Sequence, residues 1–272
     1  MLDIYAFLRG RVEEVDKFLK GMPAKVEKQT LKEHVSKALK ALDEMRDSKI
    51  WRYAVKIFEG DEDLMNEHLR LIILFHDIGK VFYQANFRFD EKRGLKYLNF
   101  KGHEYFSTYL ADEYLWRSNI SYKGVDRETI LSTILYHHHA MGLKDRGKVR
   151  ELRVCEDREE YGGMCKALGE ILEKHGLLVS DFLQYLRNLG SHLKRKGRLL
   201  VLKEEFTNDV YMEVNEINRD IWSNFIRNKK FRRKMLVLNV ILQVCDYRGS
   251  VGRTRRPPKF YDVLKEFINL YR

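Results

Sequence analysis

Along most of this chain apolar residues recur every three or four positions, the spacing that places them on one face of an α-helix. Leu31, His34, Val35, Ala38, Leu42 and Met45 form one such stripe, and His103, Phe106, Leu110 and Tyr114 a second. Ile130, Ile134, His137 and His138 form a third, and Val237, Leu238, Ile241, Leu242 and Cys245 a fourth. Leu69 and Leu71 to Phe75 make a nearly continuous apolar run, as in a helix buried on all sides. The pattern predicts helices near 11–20, 28–47, 62–80, 103–117, 126–140, 157–174, 180–195, 210–228, 231–248 and 260–271. Residues 198–202 read as a short strand, enough for one hairpin. The fold class expected is therefore all-α, a helical bundle. One domain over 1–256 is expected, with a charged, mostly helical insertion at 143–228 inside it. The Pro257-Pro258 pair then sets off a C-terminal helix within 257–272, whose stripe is Val263, Leu264, Phe267, Ile268 and Tyr271.

The polar residues that interrupt these stripes are of few kinds. His34, the His76-Asp77 pair, His103, the His137-His138 pair and Asp246 each stand at the edge of an apolar face. Neutral imidazole and carboxylate are both transition-metal ligands, and burying either is unfavourable unless it finds a partner. A single core histidine more often bonds a backbone carbonyl than a metal, and His68, His175 and His192 are read that way. Six of the nine histidines, counting His139, fall in the pattern, which an undecorated bundle has no reason to produce. Five helices that direct such groups inward make a metal site. The run His137-His138-His139 leaves the register of its ligand pair open. The first two continue the Ile130-Ile134 face, while His139 is the alternative.

His34, His76-Asp77 and Asp246 together resemble the signature of the HD metal-dependent phosphohydrolase superfamily, so the bundle expected is the HD-domain fold. The added His103 and His137-His138 are similar to the members that bind two metals. Within these, the order His, His-Asp-x-Gly-Lys, Gly-His-Glu, His-His and a late Asp resembles the stand-alone HD nucleases of type I CRISPR systems. The resemblance implies that His34, His76, Asp77 and Asp246 hold one divalent ion. Asp77 then bridges to a second ion held by His103, His137 and His138. It implies catalytic roles for Asp77 and Lys80, hydrolysis of single-stranded DNA phosphodiesters, and a separate helicase subunit and CRISPR effector complex as partners. The alternative is hydrolysis of a nucleotide or cyclic nucleotide. A histidine-rich shell suits Mn²⁺, Ni²⁺, Co²⁺ or Fe²⁺ better than Mg²⁺. Glu104, Ser107 and Ser250 are candidates to support the ligands.

Charge adds a partner class to this picture. The chain carries a formal net charge of +11, which favours a polyanion. Arg232, Arg233 and Lys234 precede the Asp246 helix segment, and Arg248 and Arg253 stand around its end; these five are the candidate nucleic-acid contacts, against the plainer reading of a solvated basic face. Gly142 to Val149 nearly spells a phosphate-binding P-loop, but it has Val where the metal-binding Ser or Thr belongs and follows a helix rather than a strand. The chain is thus not itself a helicase. Its three cysteines form no CxxC pair, no apolar run approaches a membrane span, and Met1 to Phe7 read as no signal peptide, so a reduced cytoplasmic setting is expected.

Overall fold

The structure, a computed structural model, describes residues 3–119, 126–138, 151–177 and 179–250. It is a helical bundle with two small antiparallel sheets at its flank. In chain order the elements are β1 (Tyr5–Arg11), α1 (Val12–Leu19), β2 (Glu27–Thr30), α2 (Leu31–Asp43), α3 (Lys49–Ile57) and α4 (Glu62–Phe75). A 3-10 segment (Ile78–Tyr83) leads into β3 (Phe87–Asp90), β4 (Leu95–Leu98), α5 (His103–Arg117) and α6 (Arg127–Leu135). The remainder is β5 (Arg153–Cys155), α7 (Arg158–Lys174), α8 (Ser180–Asn188), β6 (Leu193–Lys196), β7 (Leu199–Leu202), α9 (Glu204–Arg227) and α10 (Lys229–Ser250).

Local chemistry sets the helix starts. Ser48, Asp61, Asp126 and Asp157 each cap a helix by accepting a backbone N–H two or three residues inside it. Thr30 and Glu33 form a reciprocal capping box, so α2 begins at Leu31 and residues 27–30 are free to pair as a strand. The helix expected from 28 therefore starts three residues later, and α3 is an element the periodicity did not single out.

The strands are the larger departure from expectation. Four of them order as β2-β1-β4-β3 and three as β5-β7-β6. In β1 the alternation was present in the sequence: Ile4, Ala6 and Leu8 are buried while Tyr5, Phe7 and Arg9 are half-exposed. The helix expected over 180–195 stops at Asn188 because Leu193–Lys196 pairs with Leu199–Leu202. Gly197, at φ 62°, opens the two-residue turn between them. From residue 151 to 228 the described part of the segment is mostly helical, as expected, with β5, β6 and β7 added, and its buried residues from Leu152 to Ile221 join the same continuous core as α2, α4, α5 and α6. The expected C-terminal helix, Arg253 and the near P-loop at 142–149 lie outside the described residues.

Helix α10 is the axis of the bundle, packing along α2 and also touching α3, α4, α6 and α9. Helix α5 packs against the 3-10 segment on the other side of the future site. That second junction is backbone on backbone. A Cβ added at Gly79 would stand 2.4 Å from the His103 carbonyl oxygen and 2.6 Å from the Ser107 nitrogen. Gly79 N–H also donates to Ser107 Oγ at 2.9 Å. Replacing Gly79 by Ala must push α5 away; overpacking of this kind costs about 1–3 kcal/mol. The expected outcome for Gly79→Ala is a loss near the upper end of that range in denaturant unfolding, and a stability within about 0.5 kcal/mol of wild type would refute the close approach.

Candidate metal centre

Five elements deliver the polar side chains. Helix α2 supplies His34, and α4 ends at Phe75 so that His76 caps it and Asp77 follows in a bend at φ −110°, ψ −1°. The expected helix to residue 80 therefore breaks one residue before the pair. The 3-10 turn that follows, with Lys80 N–H donating to the Asp77 carbonyl at 3.0 Å, brings the Lys80 ammonium back onto Asp77. Helix α5 opens with His103, α10 carries Asp246 in its last turn, and α6 ends at Leu135 so that His137 and His138 sit in a turn rather than on its face.

These residues form two adjoining groups. His34, His76, Asp77 and Asp246 bring one ligand atom each within 4.8 Å of one another, and His103, His137 and His138 do the same. In the first group His34 Nε2 lies 3.1 Å from Asp246 Oδ1, 3.3 Å from Asp77 Oδ2 and 3.3 Å from His76 Nε2. His76 Nε2 is 3.6 Å from both carboxylates. Around an ion with bonds of about 2.1 Å, neighbouring ligand atoms in a tetrahedral or octahedral shell stand roughly 3.0–3.4 Å apart, so the set fits a divalent ion. Asp77 faces both groups: Oδ2 turns to His34 and His76, while Oδ1 is 2.9 Å from His103 Nε2. In the second group the His137 and His138 ring centroids are 3.9 Å apart, with His103 5.3 Å and 5.2 Å from them.

The tautomers are set by the backbone. Nδ1 of His76 donates to the Ile73 carbonyl at 2.8 Å, that of His103 to Phe100 at 2.8 Å and that of His137 to Ile134 at 2.6 Å. Each carbonyl lies three residues earlier, and each bond leaves the Nε2 lone pair directed at the site. His137 Nε2 is buried without a hydrogen-bond partner, and His103 Nε2 is near Asp77 without hydrogen-bond alignment. Buried polar atoms are rarely left so, and a metal ion satisfies them. His68 is the contrast. Its Nδ1 donates to the Leu64 carbonyl, but its Nε2 accepts the Asp126 N–H at 3.0 Å, which makes it a fully satisfied core histidine.

Charge is balanced around the carboxylates. Burial opposes ionisation of Asp77, but the Lys80 ammonium 2.6 Å away, with His76 and His103, holds its pKa well below the usual carboxylate range. Burial likewise opposes ionisation of Asp246, and hydrogen bonds from His34 and His76 hold it low. Burial works against charge on His76, yet Asp77 and Asp246 outweigh it and raise its pKa. His137 and His138 go the other way: burial, reinforced by the neighbouring imidazoles, keeps both neutral, with His138 lowered to about 3. His137 and His138 thus present lone pairs rather than protons.

The supporting residues are placed as follows. Ser107 holds Gly79, and the buried Glu104 carboxylate is 3.5 Å from His103 Nδ1. Ser250 is the last residue of α10. The sequence reading missed Gly249, where a Cβ would stand 2.9 Å from the His34 ring; its carbonyl accepts a hydrogen bond from Gln29 at 2.7 Å. A glycine three residues after Asp246 in a buried helix was the available signal. His139, the alternative ligand, lies outside the described residues. The cations are more scattered than their clustering along the chain implied. Arg232 donates to the Phe225 carbonyl at 3.1 Å, Lys234 reaches Asp126 at 3.5 Å and Arg248 pairs with Glu44 at 2.8 Å, while Arg233 is exposed.

The HD-domain family model matches residues 48–248, most of the chain. The chain belongs to the HD-domain family. As an HD-domain protein it falls in the metal-dependent phosphohydrolase superfamily and is a metal-dependent hydrolase. The match contains six of the seven clustered residues; His34 on α2 precedes it and completes the first group from outside. No curated protein matches the sequence significantly. Among the described residues of this HD-domain protein, no helix is long and apolar enough to cross a membrane, and all three cysteines are buried and free.

Two measurements probe the centre. Purified protein should carry close to two equivalents of transition metal by elemental analysis, and Asp77→Ala should lose most of both, because it removes the group shared between the sets; full metal content in that variant would reject the shared-carboxylate arrangement. The second is pH dependence of the metal-stripped protein. Between about 3 and about 6.5 the unfolded chain binds a proton at His138 that the folded chain does not. This contribution is complete above about 6.5 and is lost as pH falls, with a slope approaching 1.4 kcal/mol per unit, about one proton's worth. His138→Gln should show a shallower fall in stability between about pH 6 and pH 4; an identical slope would mean that His138 is protonated in the fold.

Proposed function

We propose that this HD-domain protein is a nuclease that hydrolyses phosphodiester bonds of single-stranded DNA with two divalent transition-metal ions, Mn²⁺, Ni²⁺, Co²⁺ or Fe²⁺ rather than Mg²⁺. The observation that carries the reading is the pair of ligand groups meeting at Asp77, since two adjacent ions are the arrangement suited to displacement at a phosphodiester. His34, His76, Asp77 and Asp246 would hold one ion and His103, His137 and His138 the other. When bound, such ions polarise the phosphate and lower the pKa of water.

The chain's own residues do the rest. Three backbone carbonyls orient the imidazoles, so little reorganisation is needed when substrate binds. Lys80 is buried against Asp77, where its ammonium balances the carboxylate and adds positive potential at the phosphate position. Asp246 is the partly accessible member of the first group, its side chain 21% exposed, which sets the side from which substrate enters. The net charge of +11 favours a polyanionic substrate. In a cell, the reading pairs the protein with a separate helicase subunit, which would expose the strand, and a CRISPR effector complex in type I interference.

A nucleotide phosphohydrolase is the second reading. It is favoured by the engagement of Arg232, Lys234 and Arg248 within the fold, which leaves less bare cationic surface for a long strand than the charge count implies. The deciding assay compares single-stranded DNA, RNA, blunt duplex DNA and a nucleotide panel, with Mn²⁺, Ni²⁺, Co²⁺, Fe²⁺ or Mg²⁺ added. Cleavage of single-stranded DNA with a transition metal, little of duplex, and a loss of more than about a hundredfold in Asp77→Ala are expected. Duplex cut as fast as single strands would contradict the need for a helicase. Turnover confined to nucleotides would establish the second reading.

A further inference from the structure

Beside the metal centre lies a groove of about 310 Å³ that its ligands do not use, between α9, α10 and the turn after α6. Its walls are of two kinds. Tyr136, Trp222 and Phe225 supply aromatic faces, with Trp222 set edge-on to Tyr136 at 6.1 Å and to Phe225 at 5.4 Å. Asn239 and Gln243 supply amides among Met235, Leu236 and Val240. Trp222 is 48% exposed, although a tryptophan with no ligand is ordinarily buried more fully. Asn239 is only 8% exposed, and its Oδ1 is buried without a partner while its Nδ2 donates to the Met235 carbonyl at 3.3 Å. A buried amide oxygen left so in an apolar groove marks a place where an incoming donor is missing.

Two elements that line the groove also carry ligands of the metal centre. Tyr136 immediately precedes the ligands His137 and His138 and is held by its hydroxyl, which donates to Asn218 Oδ1 at 2.5 Å. On α10, Asn239, Gln243 and Asp246 stand at positions i, i+4 and i+7, one polar stripe in the otherwise apolar stretch from Met235 to Asp246. The stripe covers about 10 Å along the axis, from the groove to the carboxylate of the first ligand group. An aromatic face for stacking, an amide acceptor for an exocyclic or ring N–H, and a position next to a phosphate-cleaving centre together describe a nucleobase.

We infer that the Trp222–Asn239 groove is a nucleobase subsite for a base flanking the scissile phosphate, which stacks on Trp222 and donates an N–H hydrogen bond to Asn239 Oδ1. The inference rests on the phosphodiesterase reading and narrows it: the enzyme grips a base as well as the backbone. Every base has a stacking face, so the subsite favours unpaired nucleic acid without strict sequence preference. A duplex would keep its bases out of the groove.

The test uses the full chain with its metal removed by chelator, so that binding is read without turnover. In a Trp116→Phe background, Trp222 is left as the exposed indole, beside the buried Trp51. A short oligodeoxythymidylate should change Trp222 emission. Trp222→Ala should weaken its binding roughly ten- to hundredfold, the loss of one base stack, and Trp222→Phe should recover much of it. An oligonucleotide of the same length with abasic positions should bind wild type more weakly by a similar factor, and this abasic penalty should vanish in Trp222→Ala. Unchanged emission, or an abasic penalty that persists in Trp222→Ala, overturns the subsite, and the groove then belongs to a protein segment. The parent reading fails separately. If Trp222 responds to oligonucleotide but the metal-loaded chain hydrolyses no phosphodiester, the function is wrong and the subsite stands. If it hydrolyses oligonucleotides with no abasic penalty, the subsite alone is wrong.

Discussion

A carboxylate as buried as Asp77, about 1% exposed, is stable only among groups that supply positive charge or hydrogen bonds, and much of the molecule is arranged to provide them. Lys80 comes from the next turn of the same segment, His34 from α2, His76 from the preceding residue and His103 from α5. Asp246 adds a second carboxylate and so a second demand for positive charge. One lysine does not balance the buried Asp77 and the partly buried Asp246, and burial keeps His137 and His138 neutral. A divalent ion resolves that imbalance, which is why the first ligand group reads as a metal site from electrostatics alone.

Bringing so many elements to one carboxylate requires backbones closer than side chains normally allow. Two glycines meet that requirement. Gly79 lets the 3-10 segment lie against the start of α5, so that His103 reaches Asp77 from the far side. Gly249 lets the end of α10 lie against α2, so that Asp246 and His34 meet at 3.1 Å. The break after α4 re-aims the whole Asp77–Lys80 pair: at i and i+3 the two stay neighbours, and the 3-10 turn holds the ammonium 2.6 Å from the carboxylate. Packing and chemistry are not separable here, since the contacts that close the core are the contacts that set the ligand distances.

The centre is consequently enclosed on most sides. Asp246 is its partly exposed member, and seven residues earlier on α10 Asn239 lines the groove shared with Tyr136 and Trp222. Substrate discrimination in such a site falls to that groove, because the ligand groups themselves recognise little beyond an anionic phosphate. The cations on α10 contribute mainly through the overall field, since most of those described already hold an intramolecular partner.

The sequence by itself determined the helical bundle and put histidines and carboxylates at the edges of its apolar stripes, because both are written in local periodicity: a histidine at the edge of an apolar stripe is visible within a dozen residues. It also carried the alternation of β1, though the stronger helical signal around it masked that strand. Only the tertiary structure decided which ligand atoms share a space, that Asp77 faces both groups, and that His68 is satisfied while His137 is not. It also decided that the two glycines are points of close approach and that Trp222 on α9 stands against Tyr136, the residue before His137. The physical reason is separation along the chain. Gln29 and Gly249, or Tyr136 and Trp222, meet only once the whole core has closed, and no local pattern encodes a contact between residues that far apart.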